Sequence, residues 1–246
     1  MGLLSRIIKG QKRHTSHAAV VDTLGKEILS GTLPEGTILP GDQELSERFG
    51  VSRTVLREAM KTLAAKCLIE PKSRVGTRVL GTKNCNFFDP DILFWWIQNG
   101  VDAEFVRHLH FTRLALEPET AARAAELAGR EDANMIYTLA CRLAYPDHTR
   151  ETAVLADLDF HLAIMELSGN PFIRSSADLI EAALAIAYVV NAPTYQAAAI
   201  STLTNEYVKI AQAIATNDPI MARQTMSTAI RLSTQYILDA LQRRPA

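Results

Sequence analysis

From residue 18 onward, apolar residues recur at helical spacing with only one long interruption. Val20, Val21, Leu24, Ile28 and Leu29 fall on one face of a first amphipathic helix over 18–30, which Gly31 ends. Two shorter patterns then meet at Phe49-Gly50-Val51-Ser52. In the first, Leu45 and Phe49 lie four apart with charges opposite. In the second, Val55, Leu56, Ala59, Met60 and Leu63 form an apolar stripe. Gly50 tolerates the left-handed backbone of a tight helix-to-helix turn, and Ser52 is a good N-cap for the second helix. The spacing predicts a helix-turn-helix. Upstream, Leu33-Pro34-Glu35-Gly36 reads as a turn that packs Ile38-Leu39-Pro40 beneath it. The period changes after Lys66. Cys67-Leu68-Ile69-Glu70 and Arg78-Val79-Leu80 read as strands joined by a basic turn over 71–77 that contains Gly76. A helix-turn-helix continued by a basic hairpin is a winged helix.

Residues 81–89 read as a linker. After Pro90, Ile92, Leu93, Trp95, Trp96 and Ile97 make a short apolar helix, its tryptophans expected to pack against the next domain. From 102 only helical periodicity is found, with helices expected over 102–128, 131–143, 149–168, 171–190, 196–216 and 218–242. Ala121-Ala122 and the alanines of 182–187 permit close helix approach, and Asn217-Asp218-Pro219 is a stop and then a capped start. The expected fold is therefore mainly α. It comprises a flexible basic arm over 1–17, a winged helix-turn-helix over 18–80, the linker, and an all-helical bundle over 90–246.

Charge changes the picture more than composition does. Residues 1–83 hold 14 Lys and Arg against 8 Asp and Glu, whereas the remainder holds 12 against 19. A basic front and an acidic back suit nucleic-acid binding by the front alone. No apolar run approaches the roughly 20 residues of a membrane span. The three cysteines are far apart and without a CxxC pair, as expected of reduced thiols in a cytosol.

The candidate chemistry comes from placement. A recognition helix enters the major groove by its N-terminal end, so Ser52, Arg53, Thr54 and Arg57 are placed to reach bases and phosphates, and Arg74, Gly76 and Thr77 would form the wing. The alternative is an ordinary helical hairpin whose arginines are solvated. In the back half, Arg113 stands among Leu109, Leu114 and Leu116. An arginine pointing into a bundle needs an anionic partner, because an unpaired buried charge is costly. That partner is either a ligand carboxylate or Glu117, one turn on, at the surface. Asp157 and His161, four apart, project from one helix face. An acid–base site built from Asp157 and His161 with Arg113 binding substrate is the enzymatic alternative. Against it, the chain has no nucleophile elbow, phosphate loop or metal-protease motif.

Residues 18–80 resemble the DNA-binding domain of GntR-type bacterial transcription regulators. The resemblance rests on Glu27-Ile28-Leu29-Ser30-Gly31, Leu33-Pro34-Glu35-Gly36, Leu39-Pro40, Glu44-Leu45-Ser46, Gly50-Val51-Ser52-Arg53-Thr54, Leu56-Arg57-Glu58-Ala59 and Gly76-Thr77. Gln43 stands where many members carry a DNA-contacting arginine, which implies a weaker contact or an altered operator preference there. The back half resembles the FCD domain of the FadR branch. Here the residues are Arg113-Leu114-Ala115-Leu116-Glu117-Pro118, Asp157-Leu158-Asp159-Phe160-His161 with Asn170, and Glu206, Ala213-Ile214, Asp218 and Ala222. The run 88–95 is similar to the galactonate-operon repressor group of that branch.

The resemblance implies a homodimeric, cytoplasmic repressor on a pseudo-palindromic DNA operator, released by a small carboxylate, such as a sugar acid, held by Arg113. A hydroxy acid, an amino acid or an acyl thioester is the alternative effector. Many members hold a divalent metal with one Asp and three His. Asp157 and His161 match two of these positions, Tyr207 replaces a histidine, and the last falls near Ala229. No tightly bound metal or other cofactor is expected, and Tyr207, Asp157 and His161 are expected to line the cavity as hydrogen-bonding groups.

Overall fold

The computed structural model describes residues 2–10, 15–192, 194 and 196–243, without the side chains at 197 and 198. It divides into two compact units, 1–101 and 102–246. In the first unit, α2 (Ser16–Leu29), α3 (Asp42–Phe49) and α4 (Arg53–Ala65) enclose Val20, Val21, Leu24, Leu45, Leu56, Ala59 and Leu63. These are the stripes of the sequence, now facing one another. Gly50 is left-handed at φ 61°, and the Ser52 hydroxyl accepts the Val55 amide at 3.3 Å, so the turn and the start of α4 are fixed locally.

The hairpin is tighter than expected. Strand β1 (Ile69–Lys72) pairs antiparallel with β2 (Gly76–Val79), placing Pro71 opposite Thr77 and Lys72 opposite Gly76. Residues expected in the turn thus belong to strands. Arg74 at φ 63° and Gly76 at φ 114° supply the left-handed backbone that so short a connection requires. Residues 37–39 run along β2, with the Leu39 amide bonded to the Thr77 carbonyl and the Val79 amide to the Thr37 carbonyl, and so anchor the wing.

Two expectations fail at the edges of this unit. The flexible arm contains a helix, α1 (Leu3–Lys9), whose Leu3, Leu4, Arg6 and Ile7 are buried; residues 11–14 lie outside the described residues. Helix α5 (Pro90–Asn99) packs against α1 and α2 and so belongs to the first unit, which moves the expected 89/90 domain boundary to 101/102. Within the expected linker, Thr82–Asn84 form a single 3-10 turn. The physical reason is aromatic burial. Trp95 is fully buried over Gly25, where an added Cβ would stand 2.7 Å from its ring, and its indole N–H donates to Asp22 at 2.9 Å.

The second unit is all-helical among its described residues. It comprises α6 (Ala103–Leu127), α7 (Arg130–Arg142), α8 (Arg150–Leu167), α9 (Pro171–Arg174), α10 (Ala177–Val189), α11 (Ala197–Ala215) and α12 (Pro219–Gln242). Its core gathers Ala121, Ala124, Ala125, Phe160, Tyr207, Ile210, Ile214 and Met226. The single helix expected over 171–190 is broken between α9 and α10. There the Ser175 and Ser176 hydroxyls donate to the carbonyls of Pro171 and Ile173, competing with the backbone ladder.

Candidate nucleic-acid interface and candidate effector site

In the first unit Ser52, Arg53, Thr54 and Arg57 are all exposed at or near the capped start of α4. The side chains of Arg53, Arg57 and Arg74 form no hydrogen bond or ion pair among the described residues. Their guanidinium groups are left to the solvent, at one helix end and at the wing. Gly76 is exposed and Thr77 half-buried, its carbonyl holding Leu39. Gln43 is exposed on α3 but engaged, donating to Glu47 at 3.1 Å. A residue at this position held by a carboxylate one turn on is less available than a free arginine would be.

In the second unit three separated stretches of sequence meet. Arg113 and Glu117 stand on α6, Asp157 and His161 on α8, and Tyr207 on α11; all five side chains are buried. The Arg113 Nε donates to Glu117 Oε1 at 2.5 Å and its Nη2 to Oε2 at 3.3 Å. His161 Nδ1 lies 2.8 Å from Glu117 Oε2, and its Nε2 lies 3.0 Å from the Tyr207 hydroxyl, which donates to Asp157 Oδ1 at 2.5 Å. Phe160 stacks on Tyr207 at 4.3 Å between centroids and covers the cluster.

The electrostatics are set by burial. Desolvation pushes the Glu117 carboxyl up, but Arg113 and then His161 more than offset it and hold the group down at about 2. Burial disfavours the Arg113 cation, and the Glu117 carboxylate beside it outweighs that and raises its pKa.

Of the two alternatives for Arg113, the geometry shows the pairing with Glu117. Its partner is Glu117, yet the pair is inside the bundle rather than at the surface. The pairing also leaves one donor over: Arg113 Nη1 is buried and has no hydrogen-bond partner. Glu117 was legible as a partner through its i+4 spacing, but its burial and its bond to His161 were not.

Among the described cavities, two are bordered by Arg113, each of about 10 Å³. Glu117 borders one of them. Neither of these two is lined by Asp157, His161 or Tyr207. They are locked to one another instead. The same locking bears on a metal. The Tyr207 hydroxyl is spent on Asp157, Ala229 offers no donor atom, and no group of three or more His, Cys, Asp or Glu among the described residues is arranged to hold an ion. The family's metal does not fit these residues.

Comparison with known proteins gives a consistent picture. The family model described as bacterial regulatory proteins, gntR family, matches residues 17–79, and that of the FCD domain matches residues 108–232. The HTH-type transcriptional regulator YieP of Escherichia coli is 40% identical over 162 residues, which is 65% of this chain and 70% of that protein. The galactonate operon transcriptional repressor of the same organism is 34% identical over 155 residues, 63% of this chain and 68% of that one. Among solved structures, the regulator Lar of Listeria monocytogenes aligns with a TM-score of 0.61 at 20% identity, over 93% of this chain and 99% of that chain, and shares the fold. No helix among the described residues is long and apolar enough to cross a membrane.

Proposed function

The chain belongs to the gntR family of bacterial regulatory proteins and is a DNA-binding transcription regulator rather than an enzyme; on that premise we propose that it is a repressor whose helical unit senses a small carboxylate. Two copies would present two recognition helices to successive major-groove faces of a pseudo-palindromic operator in the cytoplasm. Arg53 and Arg57 read bases or phosphates, Ser52, Thr54 and Thr77 take phosphate oxygens, and Arg74 and Gly76 set the wing, with Gln43 at the margin. The effector's carboxylate binds Arg113. Asp157, His161 and Tyr207 position Arg113 through Glu117 rather than touching the ligand. A relative named as the repressor of the galactonate operon supports the repressor reading.

The observation that carries the proposal is the pair of exposed, unpaired guanidinium groups at the Ser52-capped start of α4. A helix end kept free of internal carboxylates leaves its arginines available to an external anion. The test is a gel-shift titration at fixed salt on DNA from upstream of the protein's own gene cluster. Arg53→Ala and Arg57→Ala are each expected to cost about 1–3 kcal/mol of binding with the fold unchanged. Wild-type affinity in both variants would remove α4 from the interface. The coupling available to the effector is about 1–3 kcal/mol, its differential affinity for the two states of the regulator.

A further inference from the structure

We propose that the effector is a monocarboxylate with an apolar body, seated in the seam between α6 and α10, rather than a polyhydroxylated sugar acid. This inference rests on the reading of Arg113 as the anion clamp and names the ligand class that clamp serves. The starting point is the unpartnered Nη1 of a nearly fully buried arginine. A carboxylate is the group whose geometry and charge complete a guanidinium with one donor left over.

The walls decide what else the ligand carries. On one side of Arg113 the cavity is bounded by Leu116, Met165, Ile173, Leu179 and Ile180. Its two hydroxyls have already committed their protons, Thr120 to the Leu116 carbonyl at 2.8 Å and Ser176 to the Ile173 carbonyl at 2.6 Å. On the other side the wall is Val106, Leu109, Ala183, Ile186 and Ile237. Its polar pair is joined through one ring nitrogen, His110 Nδ1, 2.8 Å from the Thr234 hydroxyl. Glu117 already accepts from Arg113 and His161. A sugar acid would bring several hydroxyl groups into this seam and leave most of them unpaired, whereas an aliphatic chain would meet methyl and methylene groups throughout.

The seam must also widen. Each cavity holds about one water, and an organic acid needs far more room. The wall suited to move is α10. It packs chiefly on α8, meets α6 more thinly, and begins at the break beside Ser175 and Ser176. Parting α10 from α6 is thus the conformational step to which binding is coupled.

The experiment is calorimetric titration and thermal shift of the full chain with hexanoate and isovalerate against gluconate and galactonate, without added metal. The aliphatic acids are expected to bind about tenfold or more tighter. Arg113→Gln should abolish binding of all four acids, and circular dichroism would establish that this variant is folded. Ile180→Thr and Ile186→Thr place a hydroxyl on one wall each and keep the clamp. At least one of them should narrow the preference several-fold. Equal or tighter binding of the sugar acids, still dependent on Arg113, would overturn the apolar-body inference and leave the anion clamp standing. Binding of the aliphatic acids that survives in folded Arg113→Gln, or no binding of any acid, would overturn both.

Discussion

Among the described residues each unit buries one arginine, and the two are held in different ways. Arg6 in the first unit lies over the face of Phe94 at 4.0 Å, donates to Asp91 at 2.7 Å and stands 3.8 Å from Asp22. Arg113 in the second is paired with Glu117, and Asp157 acts on it at longer range. Both retain guanidinium nitrogens without hydrogen-bond partners. The comparison teaches that an orphan donor on a buried arginine does not by itself mark a binding site. At Arg6 an aromatic face and two acids surround the cation, and Lys66 joins the same cluster through Asp89 and Asp91. That arrangement ties α1, α2, α4 and α5 together and is structural. At Arg113 the surroundings are cavities and a movable helix. The cavities, not the missing bond, are what the proposed clamp rests on.

The difference predicts unequal penalties when each cluster is broken. Glu117→Ala strips Arg113 of its paired carboxylate and leaves a cation in a dry bundle, an expected loss of about 3–5 kcal/mol. Arg6→Ala leaves Asp91 with Lys66 still 3.0 Å away, so a smaller loss of about 1–3 kcal/mol is expected. Urea unfolding of both variants measures this. A larger loss at Arg6 would invert the assignment of structural arginine and clamp.

The head is held by shape as much as by charge. Gly25→Ala would gain about 1 kcal/mol from helix propensity, but the new methyl would meet three rigid ring atoms of Trp95 at 2.7–2.8 Å. Overpacking of this kind costs about 1–3 kcal/mol, so net destabilisation is expected. It should be confined to the first unit and read as a loss of DNA binding at elevated temperature. A neutral or stabilising result would mean that α5 is not docked on α2.

How much of this was legible in the sequence depends on the range of the interaction. The stripe from Val55 to Leu63, the Gly50 turn and the Ser52 cap are local and were readable, as was the helical body. The docking of α1 and α5 was not. Leu3, Leu4 and Arg6 read as a tail, and Trp95 as packing against the next domain, because their partners Gly25, Asp22 and Asp91 lie up to 85 residues away. The break before α10 was hidden because apolar periodicity continues through it, while the Ser176 amide and hydroxyl both take the Ile173 carbonyl. Arg113, Asp157, His161 and Tyr207 were legible as neighbours through a resemblance. Their bonds to one another depend on side-chain geometry that spacing does not encode.

Acid separates the two units further. The carboxyl of Glu117 is held at about 2, below its ordinary value near 4.5. A group depressed in the folded state contributes stability that is present above the unfolded value and disappears as pH falls from about 4.5 toward 2. The second unit should therefore lose stability across that window, monitored by near-ultraviolet circular dichroism with Tyr207 as reporter. Glu117→Gln should flatten the dependence. An unchanged acid slope in that variant would place the acid-sensitive carboxylate elsewhere.

The smallest effect is expected where the charges look most favourable. Arg223 donates twice to Glu119, at 2.5 and 2.8 Å, joining α12 to α6 in a bidentate pair as regular as any in the molecule. Both side chains are exposed, so water screens the attraction, and holding two long side chains in one geometry costs entropy. Arg223→Ala should leave the melting midpoint within replicate scatter at moderate salt, although its hydrogen bonds exceed in number those that Arg6 makes to Asp91. A clear loss of stability would show that the α6–α12 seam depends on a surface pair, and the contrast between buried clusters and solvated arginines would then fail as a guide to which charges matter.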